Sequence, residues 1–169
     1  MAETRAPRAS CVLLVFAAPD VCASASSATW ARRQISSMWD APPRPDVVVV
    51  GDGSGLSHLA WEEARSRGVP VCLYAGCGKM IRDGVPCGRW DAEESPLRGD
   101  PPVSWGAWYR HRDRVMTRHA MTRQRAGALV YVLVLATVRD GPEAAHRVAG
   151  ERARAWGAQV RVLVLGAQR

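Results

Sequence analysis

The chain has 169 residues, of which 47% are hydrophobic and 23% charged, and its formal net charge is +7. This length suits one globular domain and is too short for two domains of typical size. No apolar run reaches the roughly 18 residues of a membrane-spanning helix, so we expect none. The charge is carried almost entirely by arginine, since Lys79 is the only lysine, and it permits anionic partners such as nucleotides or nucleic acid.

The first predicted strand covers residues 11–16 (CVLLVF). Arg5 and Arg8 precede this run and the small residues 23–25 follow it, which is the order found in a secretory signal peptide. The run is short for such a peptide, however, and Glu3 lies in what would be its basic region. We therefore expect a strand of a cytoplasmic protein, and five cysteines at irregular spacing agree with a reducing compartment.

Four more short apolar runs follow along the chain, at residues 47–50, 71–74, 129–135 and 160–165. Their apolar residues are mostly continuous rather than alternating, which is typical of strands that are covered on both faces. Stretches of helical periodicity lie between them, at residues 24–40, 54–67, about 105–122 and 142–156. Strands that alternate with helices predict an α/β domain with three layers and a mainly parallel sheet of about five strands.

Residues 75–104 interrupt this alternation, because they are rich in glycine, proline and charge and show no period. The sequence predicts a long irregular insertion here. It leaves the sheet at the end of the third strand, the edge at which open α/β sheets bind ligands. We expect either a lid or specificity loop over that edge, or a surface insertion without a binding role.

The second strand ends in a glycine-rich turn, Gly51-Asp52-Gly53-Ser54-Gly55. Glycine allows positive φ and close approach of a ligand to the backbone, and Ser54 is the predicted N-cap of the next helix. The free amides of a helix start can bind phosphate or carboxylate, while Asp52 would need to face a ribose hydroxyl. Neither the dinucleotide nor the P-loop fingerprint applies, and a tight turn without a ligand is the alternative.

The order of these features resembles the SLOG superfamily, the Rossmann-like group that includes the Lonely-guy proteins and the DNA-processing Smf and DprA proteins. The resemblance runs from about residue 12 to residue 165 and is closest to the YspA- and YpsA-type small bacterial and phage proteins. In that branch the second strand ends in G-G-x-x-G-A-D, a third strand begins R-G-V-P-V, and a later helix begins R-N-x-x-M. Here these motifs correspond to residues 51–57 (GDGSGLS), 67–71 (RGVPV) and 112–116 (RDRVM).

Several departures bear on activity. Asp52 replaces the second glycine, Asp113 replaces the asparagine of R-N-x-x-M, and residues 17–20 (AAPD) stand in place of a G-S-R turn. The Lonely-guy hydrolases carry P-G-G-x-G-T-x-x-E after the fourth strand, where this chain has residues 137–145 (TVRDGPEAA). Ala145 then takes the position of the catalytic glutamate. This counts against the known hydrolase mechanism and leaves nucleotide binding open.

The resemblance implies a single SLOG-like Rossmannoid domain over residues 1–169 that binds a nucleotide or nucleotide derivative. The implied ligand contacts are Gly51, Asp52, Gly53, Ser54, Gly55, Arg112, Thr137, Arg139 and Gly141. An enzyme that hydrolyses or transfers an N-glycosidic bond, like a phosphoribohydrolase or deoxyribosyltransferase, is the alternative. Its candidate carboxylates are Asp20, Asp52, Asp140 and Glu143, and only their convergence in space would give a general acid or nucleophile.

Nucleic acid and a metal ion are further partners to consider. Arginines on the predicted helix at 105–122 and just beyond it (Arg110, Arg114, Arg118, Arg123 and Arg125) suit either a nucleic-acid groove, as in DprA-like proteins, or a solvated face. Trp108, Arg112, Val115 and His119 share one side of that helix by spacing, with His119 expected to be a structural histidine. We expect no cofactor and no metal, because the C-x9-C spacing of Cys77 and Cys87 lies outside common zinc patterns. A homo-oligomer is compatible with the sequence.

Overall fold

The computed structural model describes residues 10–52, 55–75, 79–82, 85–89 and 105–166. In chain order the elements are β1 (Cys11–Ala17), α1 (Ala25–Ser36), β2 (Val47–Gly51), α2 (Leu56–Arg65), β3 (Val71–Tyr74), β4 (Lys79–Arg82), β5 (Val85–Arg89), α3 (Trp105–Arg125), β6 (Leu129–Thr137), α4 (Ala145–Ala155) and β7 (Gln159–Leu165), with a 3-10 turn at Ser37–Trp39. Among the helices described, none combines the length and the apolarity needed to cross a membrane.

The strands form one seven-stranded sheet in the order β5-β4-β3-β2-β1-β6-β7. The central strand is β1, in which Val12 pairs with Val47 of β2 on one side and Val130 of β6 on the other. Strands β1, β2, β3, β6 and β7 run parallel. Their order is the 3-2-1-4-5 arrangement of a Rossmann-like sheet. All five predicted strands are therefore present, and the α/β fold prediction is confirmed.

Alternate residues of β1 point to two separate cores. Val12, Leu14 and Phe16 pack with residues of α3 and α4 on one face. Leu13 and Val15 pack with residues of α1 and α2 on the other. Because every one of these β1 side chains is at most 3% exposed, both faces of the strand are covered. The molecule has three layers, and this explains the continuous apolar runs in the sequence.

Helix α1, which follows β1, and helix α2, which follows the glycine turn, differ in their N-caps. Ser24 caps α1 through a capping box with Ser27, which satisfies amides at that helix start. Helix α2 has Gly55 as its N-cap, with φ of 76° and no side-chain hydrogen bond. The prediction of Ser54 as N-cap is therefore wrong by one position. The left-handed conformation at 55 favours glycine, and Ser54 itself lies outside the described residues.

The segment predicted to be irregular contains a β-hairpin. Strand β4 pairs antiparallel with β3, placing Ile81 beside Leu73, and β5 pairs antiparallel with β4. The prediction of an irregular insertion is therefore corrected for residues 79–82 and 85–89, which add two antiparallel strands to the five predicted ones. Pro86 lacks an amide donor, which an edge strand such as β5 tolerates and a central strand does not. Residues 90–104 of the predicted insertion lie outside the described part of the chain.

Candidate functional site

The carboxyl ends of β1 and β6 lie at the topological switch point of the sheet. Helix α1 carries the chain from β1 to β2 in one direction, and α4 carries it from β6 to β7 in the other. The loops that follow β1 and β6 therefore diverge, which is where open α/β sheets bind ligands. The amide of Ala18 donates a hydrogen bond of 2.8 Å to the carbonyl oxygen of Leu135, joining the two strand ends.

The end of β2 is shaped by contact with α3. A Cβ atom at Gly51 would lie 2.6 Å from Nε and 2.7 Å from Nη2 of Arg112, closer than side chains can approach. Glycine at this position therefore makes room for the guanidinium group. The predicted importance of Gly51 has a physical reason in this contact, which differs from approach of a ligand.

The Arg112 guanidinium binds two carboxylates and one carbonyl. Its Nη1 donates to the carbonyl oxygen of Asp52 at 2.5 Å and to Oδ1 of Asp52 at 2.9 Å. Its Nε and Nη2 donate to Oδ1 of Asp113 at 3.1 and 2.8 Å. The Asp113 side chain is 9% exposed, whereas that of Asp52 is 38% exposed. Arg112 thus fixes Asp52 in orientation while one side of that carboxylate faces solvent.

A second polar group lies where β6 ends. Oδ2 of Asp140 accepts hydrogen bonds from the amide of Thr137 at 2.5 Å and from its hydroxyl at 3.1 Å. Nε2 of the buried His146, in the first turn of α4, lies 3.3 Å from the same oxygen. Burial acts to raise the pKa of Asp140, but the Thr137 hydrogen bonds and His146 together lower it. Asp140 is therefore an ionised acceptor at neutral pH.

Asp113 and His146 connect these two groups electrostatically. Burial raises the pKa of Asp113, while Arg112 and, more weakly, His146 act to lower it. Burial lowers the pKa of His146, against the opposing charges of Asp140 and Asp113. Asp113 therefore interacts electrostatically with Arg112, at the end of β2, and with His146, beside Asp140.

The four candidate carboxylates have different surroundings. Asp52 and Asp140 are oriented by the hydrogen bonds just described, whereas Asp20 and Glu143 are exposed. Asp20 lies in the turn after β1, and the side chain of Glu143 lies against Gly141. Two oriented carboxylates can accept hydrogen bonds from hydroxyl or amino groups of a ligand.

One solved structure has the same fold over nearly the whole chain. It is the DNA processing protein A (DprA) from Streptococcus pneumoniae, with a TM-score of 0.55, 15% sequence identity, and coverage of 95% of this chain and 52% of that chain. The likeness is one of fold. This chain spans about half the length of that protein. No protein-family model and no curated protein matches the sequence.

The DprA-like fold agrees with the Rossmann-like architecture that the SLOG resemblance implies. Within it, the predicted ligand contacts fall into two groups. Gly51, Asp52 and Gly55 lie around the end of β2, and Arg112 joins them from α3. The others follow β6, where Thr137 is buried, Gly141 is half-buried and Arg139 is exposed. Only β1 separates β2 from β6, so the two groups are about 10 Å apart.

Two predicted contacts, Gly53 and Ser54, lie outside the described residues. Two residues that the sequence did not single out for the site, Asp113 and His146, form its buried base. Asp113 could have been found, because it takes the place of asparagine in the R-N-x-x-M motif, next to an arginine. Nothing in the sequence distinguishes His146 from any other histidine at a helix start.

His119 is half-buried and contacts the last residue of β3. Its Nδ1 is hydrogen bonded to the hydroxyl group of Tyr74, whose side chain is buried at the end of β3. The prediction of a structural histidine is confirmed. Among the described residues there is no group of three or more His, Cys, Asp or Glu that could hold a metal ion. The side chains of Cys77 and Cys87 lie outside that set.

Proposed function

We propose that this protein is a cytoplasmic SLOG-type binding protein, related to the YspA- and YpsA-type bacterial and phage proteins. Its ligand is a nucleotide or nucleotide derivative, held at the carboxyl edge of the sheet. The contacts are those of the glycine turn (Gly51, Asp52, Gly53, Ser54 and Gly55) together with Thr137, Arg139 and Gly141, while Arg112 acts by positioning Asp52.

The observation that carries this proposal is the geometry of Asp52. Arg112 donates one hydrogen bond to Oδ1 of its carboxylate and one to its backbone carbonyl, and the side chain is still 38% exposed. An oriented, accessible carboxylate is suited to accept a hydrogen bond from a ribose hydroxyl, the role that an acidic residue plays in dinucleotide-binding folds. It is poorly suited to lie beside a phosphate, because like charges repel.

The N-terminus of α2 is better suited than that of α1 to bind the anionic part of the ligand. The start of α1 is already satisfied by its own serines, Ser24 and Ser27. The start of α2 at Gly55 has no side-chain cap, so its first amides and the helix dipole favour an anion. In this arrangement the ribose lies at Asp52 and the phosphate at the helix start that follows it.

Titration calorimetry with nucleoside monophosphates tests the proposal. Asp52→Ala should weaken binding by about 1.5–3 kcal/mol, the range for hydrogen bonds to a charged group. Gly53→Val should abolish binding by blocking approach to the turn. Asp40→Ala removes an exposed aspartate from the end of the 3-10 turn and is the matched control. Wild-type affinity in both site variants would refute the proposal, and release of free base would indicate the glycosidase alternative.

A second candidate is nucleic-acid binding along α3. Arg110, Arg114 and Arg118 are exposed and follow one another at intervals of four residues, and Arg125 continues the same side of the helix. The single acidic residue of α3 is Asp113, which is buried and bound to Arg112. This stripe is a continuous basic surface of the kind that contacts phosphates, and the fold is shared with a protein named for DNA processing.

The salt dependence of single-stranded DNA binding tests this second candidate. Replacing Arg110, Arg114 and Arg125 with glutamine should reduce the slope of log K against log salt by about 2, since each phosphate contact contributes about 0.7. The control replaces three exposed arginines elsewhere, Arg33, Arg44 and Arg161. An equal reduction in both triple variants would indicate a general charge effect and would remove the α3 surface as a candidate.

A further inference from the structure

A groove runs along the outer side of α2. Its volume is about 340 Å³, within the range of small-molecule sites. The floor is apolar and consists of Val50, Val71, Leu73 and Ile81, and the indole of Trp61 forms one wall. Beyond Trp61 a second cavity of about 500 Å³ continues towards Gly68 at the end of the helix.

The groove exists because the hairpin widens the sheet past the helix that covers it. Ile81 of β4 lies beside Leu73 of β3 in the antiparallel register. Both side chains are partly exposed, since α2 packs over β2 and β3 and no described helix covers β4 on this face. An apolar surface is thus left open beside a half-buried tryptophan.

The polar groups of the groove are at its two ends. Ser57 and His58 belong to the first turn of α2, and they line the groove where it meets the proposed phosphate site. The His58 ring lies 6.3 Å from that of Trp61, tilted by 29°. At the other end the guanidinium of Arg65 lies over one face of the Trp61 ring, 5.1 Å from its centre. Hydrogen-bonding groups therefore flank a flat aromatic surface.

We infer that this groove receives the heteroaromatic base of the nucleotide, stacked on Trp61. The inference rests on the proposed function, because the groove begins at Ser57, one turn of helix from Trp61 and next to the proposed phosphate site. A base offers a flat apolar face to the indole and the valine floor, and its ring nitrogens and exocyclic groups meet Ser57 and His58. A ligand without a ring system would leave the apolar floor in water.

Binding measurements with and without a base test this inference. For wild type, adenosine, guanosine, cytidine and uridine monophosphates should each bind more tightly than ribose 5-phosphate. The expected ratio is roughly 5- to 150-fold, from the stacking free energy of one base. Trp61→Ala should remove this ratio and leave the affinity for ribose 5-phosphate unchanged. Ile81→Trp, which fills the groove from the strand side, should do the same.

Trp156→Ala is the matched control, because Trp156 is an exposed tryptophan at the end of α4 on the other face of the sheet. Circular dichroism and urea unfolding establish that each variant is folded. If monophosphates bind wild type and both groove variants alike, the base lies elsewhere and the inference is overturned while the proposed function stands. If neither the monophosphates nor ribose 5-phosphate bind wild type, both are overturned.

Discussion

The guanidinium of Arg112 lies against the backbone of Gly51, in the space that a side chain at position 51 would take. The two residues are 61 positions apart in sequence, at the end of β2 and in the second turn of α3. This contact fixes the helix against the strand end and brings Arg112 within reach of Asp52. The glycine is therefore a packing requirement as well as part of a turn.

Gly51→Ala should destabilise the protein by about 1.5–3 kcal/mol, because the added methyl group displaces the Arg112 guanidinium from its hydrogen bonds with Asp52 and Asp113. Urea unfolding measures the loss. In an Arg112→Ala background the methyl group meets no guanidinium, so the same change should have little further effect. Equal losses in the two backgrounds would mean that the strain at position 51 has another source.

Removing Arg112 should be more costly than removing a surface arginine. Asp113 is then left buried without its principal partner, which typically costs about 3–5 kcal/mol. Burial already raises the pKa of Asp113, and a carboxyl group whose folded pKa is raised loses stability as pH increases. The loss in Arg112→Ala should therefore be larger at about pH 8 than at about pH 5.

The Asp113→Asn change separates the effect of the buried charge on stability from the effect of side-chain packing. In that background Arg112→Ala should cost less, because no buried charge remains, and its dependence on pH should disappear. Urea unfolding of the two single variants and the double variant at both pH values provides the comparison. A pH dependence that survives Asp113→Asn would assign the effect to a different group.

Asp140→Ala should destabilise the loop after β6. The change removes two hydrogen bonds to Thr137, one to its amide and one to its hydroxyl, and the expected loss is about 0.5–2 kcal/mol. Asp140→Asn keeps one acceptor oxygen and should retain part of the stability. Amide hydrogen exchange at Thr137 is the direct measurement, and unchanged protection in Asp140→Ala would contradict the assignment.

Stability should decrease as the pH falls below about 6.5, the ordinary pKa of histidine. Burial lowers the pKa of His146 in the folded state, partly offset by Asp140 and Asp113 and reinforced by Arg147. The unfolded chain therefore binds a proton that the folded chain does not, and acid favours unfolding. His146→Gln should reduce the change in urea midpoint between about pH 7.5 and 5.5, and an unchanged difference would assign the pH dependence to another group.

The parallel part of the fold was predictable because strands that are buried on both faces have uninterrupted apolar runs in their sequence. Strands β4 and β5 were not, since an edge hairpin needs no such run. Pro86 and Gly88 in β5 resemble loop residues, and the register shift between Met80 and Ile81 removes any regular alternation. Local patterns could not show that β3 would pair with the chain that follows it.

The candidate site was predictable in position and less so in its contacts. The glycine turn and the R-x-x-x-M spacing indicated the end of β2 and Arg112. The pairing of Arg112 with Asp52 depends on how α3 crosses the sheet, which no local pattern specifies. The role of His146 likewise follows from the packing of α4 beside Asp140 and has no counterpart in the sequence.

The two outer strands of the sheet differ as templates for self-association. On β5, Pro86 withholds a donor and the neighbouring register shift distorts the edge, so another strand pairs poorly there. On β7, the seven residues Gln159–Leu165 contain no proline, are half-buried from Val162 onward, and have no described strand on their outer side. Aggregation in concentrated solution would therefore begin at β7, and a lysine in place of Gln159, an exposed residue of this strand, is where engineering for solubility should start.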